Sequence, residues 1–143
     1  MLRGAILLLF LTTACQAGNP RSGSSTPAGD TEASEAEAVV QRQYEAYNRR
    51  DLNGFVATHD SNVRVYRYPD SLVIEGREAL RERFGKLFAN APQLHANVDA
   101  RMAHGNVVIW KETATGMPGG KSSTAISVWE IRDGLISRIL FIP

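Results

Sequence analysis

Residues 106–116 (NVVIWKETATG) constrain the fold of this chain more than any other stretch. In an extended strand, successive side chains point to opposite faces, so Trp110 and Glu112 share one face. The other face begins with Val107 and Ile109, which are also large and apolar. A strand with two apolar faces is typical of a sheet that is covered on both sides. We therefore predict a central strand here.

Glu112 is the carboxylate on the face of this strand that also carries Trp110. Small-molecule pockets are lined by mostly apolar surface with a few polar groups, and this pair fits that description. Two interpretations stay open. Glu112 either contributes to a ligand pocket beside Trp110 or lies in solvent at the frayed end of the strand.

Length and charge narrow the class of protein. The chain has 143 residues and a formal net charge of +1, which favours one globular domain with a sizeable core. No block of like charge occurs, so nucleic acid is not an expected partner. The three histidines, His59, His95 and His104, lack the spacing of metal ligands, and we expect no metal and no cofactor.

The first 14 residues have the pattern of a secretion signal. Arg3 supplies a positive charge, and residues 5–11 form an apolar run that is too short to span a bilayer. The residues before Cys15, the only cysteine, resemble the lipobox of bacterial lipoproteins, although Thr12 stands where leucine is usual. We predict an envelope protein anchored by a lipid on Cys15, at a periplasmic or outer membrane surface; ordinary secretion is the alternative.

Three helices are predicted after a flexible tether at residues 15–33, which is rich in Gly, Ser, Thr and Pro. The sequence SEAE from Ser34 fits a capping box that would begin the first helix. Asp51 is placed to cap a short second helix at 52–59. Apolar residues at helical spacing predict a third helix at 77–89.

Strand patterns fill the rest of the chain. We predict strands at 63–68, 72–74, 94–103, 106–116, 122–131 and 135–142. Helices followed by a long antiparallel meander predict an α+β domain at residues 34–143, with the helices packed on one face of the sheet.

The order of these elements resembles the nuclear-transport-factor-2-like superfamily, and its SnoaL-like and ketosteroid-isomerase-like branches are the most similar. The resemblance rests on residues 38–54 (AVVQRQYEAYNRRDLNG), residues 65–84 (VYRYPDSLVIEGREALRERF) and the strands of Trp110 and Trp129. It implies a cone in which a curved antiparallel sheet wraps around three N-terminal helices and leaves a deep pocket. Because this scaffold hosts isomerases, cyclases, hydrolases and binders, it leaves the function open.

Ketosteroid isomerisation can be tested on particular residues. The family chemistry implies a carboxylate base on the first long strand and two donors, a tyrosine and a protonated aspartate, for the developing oxyanion. In a gapless matching, Arg67 stands at the base position, or Tyr68 if the prolines are aligned. Gln43 stands at the tyrosine and Ser127 at the aspartate. None of these can take its role, so we exclude this reaction.

The same matching directs a set of side chains towards the pocket. The predicted ligand-binding residues are Gln43, Tyr47, Phe55, Arg67, Tyr68, Trp110, Ser127, Trp129 and Phe141. His59, four residues after Phe55 on the predicted second helix, and Glu112 are the catalytic candidates, since a histidine facing an apolar cavity can act as a base near neutral pH. The alternatives are that His59 interacts with the helix dipole or with Asp60, that both tryptophans are core residues, and that Arg67 is solvated.

The face of the sheet away from the helices is predicted to be apolar and uncovered. It would carry Val107, Ile109, Ile126, Val128, Ile136 and Leu140. Exposed apolar surface of this size normally marks an interface, and members of the superfamily often pair sheet to sheet. We therefore predict a homodimer through the outer sheet face.

Two functions stay open. The first is a non-catalytic module that binds a small hydrophobic molecule or a partner at the cell envelope. The second is an acid–base enzyme, an isomerase, cyclase or hydrolase, that acts on a polycyclic or polyketide-like molecule through His59 or Glu112. Binding is favoured because the sequence contains no intact acid–base set.

Overall fold

The computed structural model describes residues 28–143 as three helices and one six-stranded sheet. The helices are α1 (Ala28–Arg49), α2 (Leu52–Ala57) and α3 (Arg77–Asn90). The strands are β1 (His59–Arg67), β2 (Ser71–Glu75), β3 (His95–His104), β4 (Val107–Met117), β5 (Lys121–Arg132) and β6 (Leu135–Ile142), with a 3-10 turn at Pro118–Gly120. No helix in this part of the chain is long and apolar enough to cross a membrane. The predicted signal peptide and Cys15 lie outside the described residues.

The strand order in the sheet is β2-β1-β6-β5-β4-β3. The α+β class and the curved sheet around the helices are confirmed: α1 packs on β3 to β6, and α3 packs on β1 and β2. The sheet is mixed rather than antiparallel, because β1 pairs with β6 in parallel. Local sequence pattern could not show this pairing, since the two strands are far apart in the chain and are not joined by a turn.

The first helix begins at Ala28, inside the segment predicted as tether. The capping box predicted at Ser34 is therefore wrong: Ser34 lies within the helix, and its hydroxyl donates a hydrogen bond of 2.9 Å to the Asp30 carbonyl. Alanines and acidic residues make residues 28–33 compatible with a helical N-terminus. The remainder of the predicted tether lies outside the described residues.

The second helix begins as predicted and ends earlier. The Asp51 carboxylate accepts a hydrogen bond of 2.9 Å from the Gly54 N–H, which is an N-cap contact. The helix stops at Ala57, because Thr58 closes its last turn by donating through its hydroxyl to the Phe55 carbonyl at 2.7 Å. The chain then turns directly into β1, so His59 is a strand residue and not a helix residue.

Two β-bulges reverse the predicted faces in β3 and β6. In β3, Val98 pairs with Glu112 and Ala100 with Lys111, which leaves Asp99 as an extra residue. A bulge moves every later side chain to the opposite face, and Met102 is accordingly 60% exposed on the outer side.

The bulge in β6 corrects the predicted outer face of the sheet. Glu130 pairs with Arg138 while Ile131 pairs with Ile136, so Ser137 is the extra residue. Ile136 consequently faces the helices and is fully buried, although it was predicted on the outer face. The other predicted outer residues are partly exposed or exposed.

Candidate functional site

A cavity of about 790 Å³ lies between the inner face of the sheet and helices α1 and α3. Most of its lining is apolar or aromatic. The lining includes Gln43, Tyr47, Arg67, Arg83, Phe84, Glu112, Ala125, Trp129 and Phe141. The site is therefore a largely apolar chamber with a small number of polar groups.

Hydrogen bonds to the backbone of β3 fix α1 beside the cavity. The Tyr44 hydroxyl donates to the Ala96 carbonyl at 3.0 Å. The Asn48 amide pairs with both backbone groups of Ala96, at 3.1 Å and 2.8 Å. Because α1 is held in this register, Gln43 and Tyr47, one turn apart on the helix, both reach the cavity.

Glu112 is the acidic side chain of the cavity lining. It is partly exposed because one side faces the cavity, and Ser127 lies behind it, fully buried, with its hydroxyl donating to the Glu112 carboxylate at 2.5 Å. Burial raises the pKa of the Glu112 carboxyl, against the opposite effect of the Ser127 hydrogen bond. The chamber therefore disfavours the charged carboxylate and favours the protonated acid relative to an exposed glutamate.

Tyr47 is the polar neighbour of this carboxyl group. Burial, together with the charge of Glu112, raises the pKa of Tyr47 to about 12. The phenol therefore keeps its proton at any physiological pH and is a hydrogen-bond donor. A phenol donor on the helix side and a carboxyl group on the sheet side of one cavity can hold an oxygen atom of a ligand or exchange a proton with it.

The predicted site residues divide into two groups. Those that line the cavity are Gln43, Tyr47, Arg67, Glu112, Trp129 and Phe141. Phe55, His59, Trp110 and Ser127 are instead buried in the core, and Tyr68 is 60% exposed to solvent. Alternation along a strand predicts which face a side chain occupies, but not whether a helix covers it, and this explains the core positions of Trp110 and Ser127.

His59 does not face the cavity, which corrects its predicted position on the pocket wall. Its ring packs on Phe55 with 4.8 Å between ring centroids, and its Nδ1 donates to the Phe55 carbonyl at 2.8 Å. Its Nε2 is buried without a partner. Burial lowers the pKa of His59 to about 4, and the charge of Arg77 acts in the same direction. A neutral imidazole sealed in the core cannot reach a ligand in the cavity.

Sequence reasoning missed Arg83, which lines the cavity from α3. Its signal was available, since Arg83 precedes the cavity residue Leu87 by four positions on a predicted helix, a spacing that places both on one face. Within residues 28–143, no group of three or more potential metal ligands comes together.

Comparison with known protein families identifies a match for this chain. A family model described as a SnoaL-like domain matches residues 40–139. A search of curated proteins gave no significant match.

Solved structures with the same fold come from several bacteria. A cystatin-fold protein of uncharacterised function from Novosphingobium aromaticivorans has a TM-score of 0.69 and 24% identity, over 76% of this chain and 97% of that one. A candidate ketosteroid isomerase from Kribbella flavida has a TM-score of 0.65 and 20% identity, over 78% of each chain. A candidate SnoaL-like polyketide cyclase from Jannaschia has a TM-score of 0.63 and 17% identity, over 87% of this chain and 90% of that one.

These structural likenesses show the fold alone, because all three identities are low. The family model, in contrast, matches well over half of the sequence and includes the strands that carry Glu112 and Trp129. The chain therefore belongs to the SnoaL-like domain family.

Proposed function

We propose that this SnoaL-like domain binds a small hydrophobic molecule in its cavity and uses the Glu112 carboxyl group as the buried polar contact. The observation that carries the proposal is one acidic group, with a raised pKa, in a mostly apolar chamber of about 790 Å³. Ligand pockets typically have volumes of about 300–1,000 Å³ and the same combination of apolar walls with few polar groups. Tyr47 supplies a second hydrogen-bond donor beside Glu112.

Acid–base catalysis is the second candidate, and one observation favours it. Glu112 has a raised pKa and lies near the phenol of Tyr47, an arrangement that suits proton transfer to a ligand oxygen. Relatives described as candidate polyketide cyclases share the fold. Binding is preferred because His59 lies in the core, and the described cavity lining contains no second acidic or histidine side chain to complete an acid–base pair.

Replacing Glu112 by glutamine tests the role of the carboxyl group. The amide has the same shape, but its N–H is a weaker hydrogen-bond donor than a carboxyl O–H, so we expect affinity for polycyclic ketones to fall by about 5–30-fold. Binding is measured by quenching of tryptophan fluorescence, since Trp129 lines the cavity. Glu75→Gln is the matched control, because Glu75 is exposed and pairs with Arg64 away from the cavity.

The same variant has a predicted effect on stability. The pKa of Glu112 is raised in the folded state, so its contribution to stability is complete below the unfolded pKa and is lost as pH rises through the folded pKa. Glu112→Gln should therefore unfold at a higher urea concentration than the wild type at pH 7.5, with a smaller difference at pH 4.

Ala125→Phe, which fills the cavity, should block binding. Ligand affinity unchanged in both variants would contradict the proposal.

The dimer belongs to the same proposal. It rests on the outer face of the sheet, where Met102 is 60% and Ile126 is 41% exposed, and where Ile109, Val128 and Leu140 are partly exposed. Isolated single-domain proteins seldom leave such a contiguous apolar face in water. Sedimentation of residues 28–143 should give the mass of two chains at micromolar concentration, and Val128→Lys should give one; a wild-type monomer would contradict the dimer.

Anchoring to the cell envelope is proposed from the sequence around Cys15 alone. A Cys15→Ser change should abolish labelling by a radioactive fatty acid and release the protein from the membrane fraction. A wild type that takes up no fatty-acid label would favour ordinary secretion instead.

A further inference from the structure

Two arginines at the rim of the cavity have no role in the function proposed above. Arg67 ends β1 and Arg83 lies on α3, and both are exposed and line the cavity. Among the described residues, neither lies within ion-pair distance of a carboxylate. Two arginines on the outer face of the sheet differ: Arg64 pairs with Glu75 at 3.2 Å and Arg138 with Glu130 at 2.6 Å.

The charges of the cavity lining are therefore unbalanced. Glu112 is the acidic side chain of that lining, and its raised pKa disfavours the negative form. The two guanidinium groups at the rim consequently have little negative charge from the side chains of the lining to neutralise them. A guanidinium group presents paired N–H donors that match carboxylate, sulfonate and phosphate oxygens, so an anion is the natural partner for this rim.

The polar groups also lie at different depths. Arg67 and Arg83 are exposed to solvent, whereas Glu112 is partly buried against the fully buried Ser127. Trp129 contributes apolar wall to the same chamber. A molecule that satisfies every group must carry an anionic group at one end, an apolar body, and a hydroxyl or carbonyl oxygen within the body.

We infer that the cavity takes an amphipathic organic anion, an aromatic or alicyclic carboxylate or its sulfonate equivalent, whose charged group is held by Arg67 and Arg83. This inference rests on the proposed ligand-binding function and specifies its ligand class. The apolar body lies against the aromatic wall and its inner oxygen meets Glu112. The two arginines select ligands by charge, and the apolar walls of the cavity select them by shape.

Two fluorescent probes with the same ring system test the inference. Anilinonaphthalene sulfonate is an anion, and N-phenylnaphthylamine is its neutral counterpart. The wild type should bind the anion more tightly. The double variant Arg67→Gln/Arg83→Gln should weaken anion binding by about tenfold or more and change binding of the neutral probe by less than about twofold, because only charge-assisted hydrogen bonds are lost.

The control is the double variant Arg42→Gln/Arg132→Gln, which removes the same two charges from exposed positions outside the cavity. It should leave both affinities unchanged, and added salt should weaken binding of the anion more than that of the neutral probe. Equal losses of affinity for the anion in both double variants, or no loss in Arg67→Gln/Arg83→Gln, would overturn the inference. Binding of the neutral probe would in that case still support the proposed function. Failure of the wild type to bind both probes and the polycyclic ketones would overturn the proposed function itself.

Discussion

Replacing Trp110 by alanine is expected to lower the free energy of unfolding by about 3–5 kcal/mol, the range for removing a large aromatic side chain from a packed core. Trp110 is 1% exposed. Its ring lies at a steep angle to the rings of Tyr44 and Trp129, with 5.7 Å and 5.5 Å between centroids. The Arg101 guanidinium carbon lies 4.4 Å from the centroid of the Trp110 ring. Alanine would leave a cavity between α1, the sheet and Arg101. The surrounding side chains cannot fill this cavity without moving.

Urea unfolding followed by circular dichroism measures this loss. Met102→Ala is the matched control, because Met102 lies on the neighbouring strand and is 60% exposed, so a change within about 0.5 kcal/mol is expected. Trp110→Phe should cost less than alanine, since it keeps a ring and removes an indole N–H that is buried without a partner. A loss for Trp110→Ala no larger than that for Met102→Ala would mean that Trp110 does not support the core.

Patterns that are local in the sequence predicted much of the fold. The bounds of β6 are those predicted, and α3 differs by one residue, because strand alternation and helical spacing report which side chains are buried. Helical spacing also places Gln43 and Tyr47 on one side of α1, and the resemblance to the superfamily implied that this side faces a pocket, where both residues lie. These features depend on residues within a few positions of one another, so one sequence is sufficient to predict them.

Features that depend on pairing between distant strands were not predictable in this way. An alternating pattern cannot reveal that Asp99 is extra relative to β4, yet this one residue reverses the faces of Arg101 and Met102. Burial at Trp110 arises from Tyr44 on a helix distant in sequence, and not from its own strand. The two tryptophans on one face of the sheet are therefore both buried in the core, and Trp129 alone of the two also lines the cavity.

Acidification is expected to destabilise the domain through His59. Burial lowers the pKa of His59 from 6.5 to about 4 in the folded state. Between these values the unfolded chain binds the additional proton, so the contribution of the neutral imidazole is fully present above pH 6.5 and is lost as pH falls towards 4. The pKa difference corresponds to about 3 kcal/mol at full protonation. The cause is structural: Nε2 is buried without a partner, and a proton placed there would meet no acceptor.

Comparing His59→Leu with the wild type isolates this effect from the titration of carboxyl groups. Leucine fits beside Phe55 without a titratable group, and the Phe55 carbonyl keeps its hydrogen bond of 2.7 Å from the Thr58 hydroxyl. Urea midpoints measured from pH 4 to 7.5 should show the stability of His59→Leu, relative to the wild type, increasing as pH falls. His95→Gln, which changes an exposed histidine, should follow the wild type at every pH. Parallel curves for His59→Leu and the wild type would mean that water reaches Nε2, and His59 would again be accessible to a ligand or a proton.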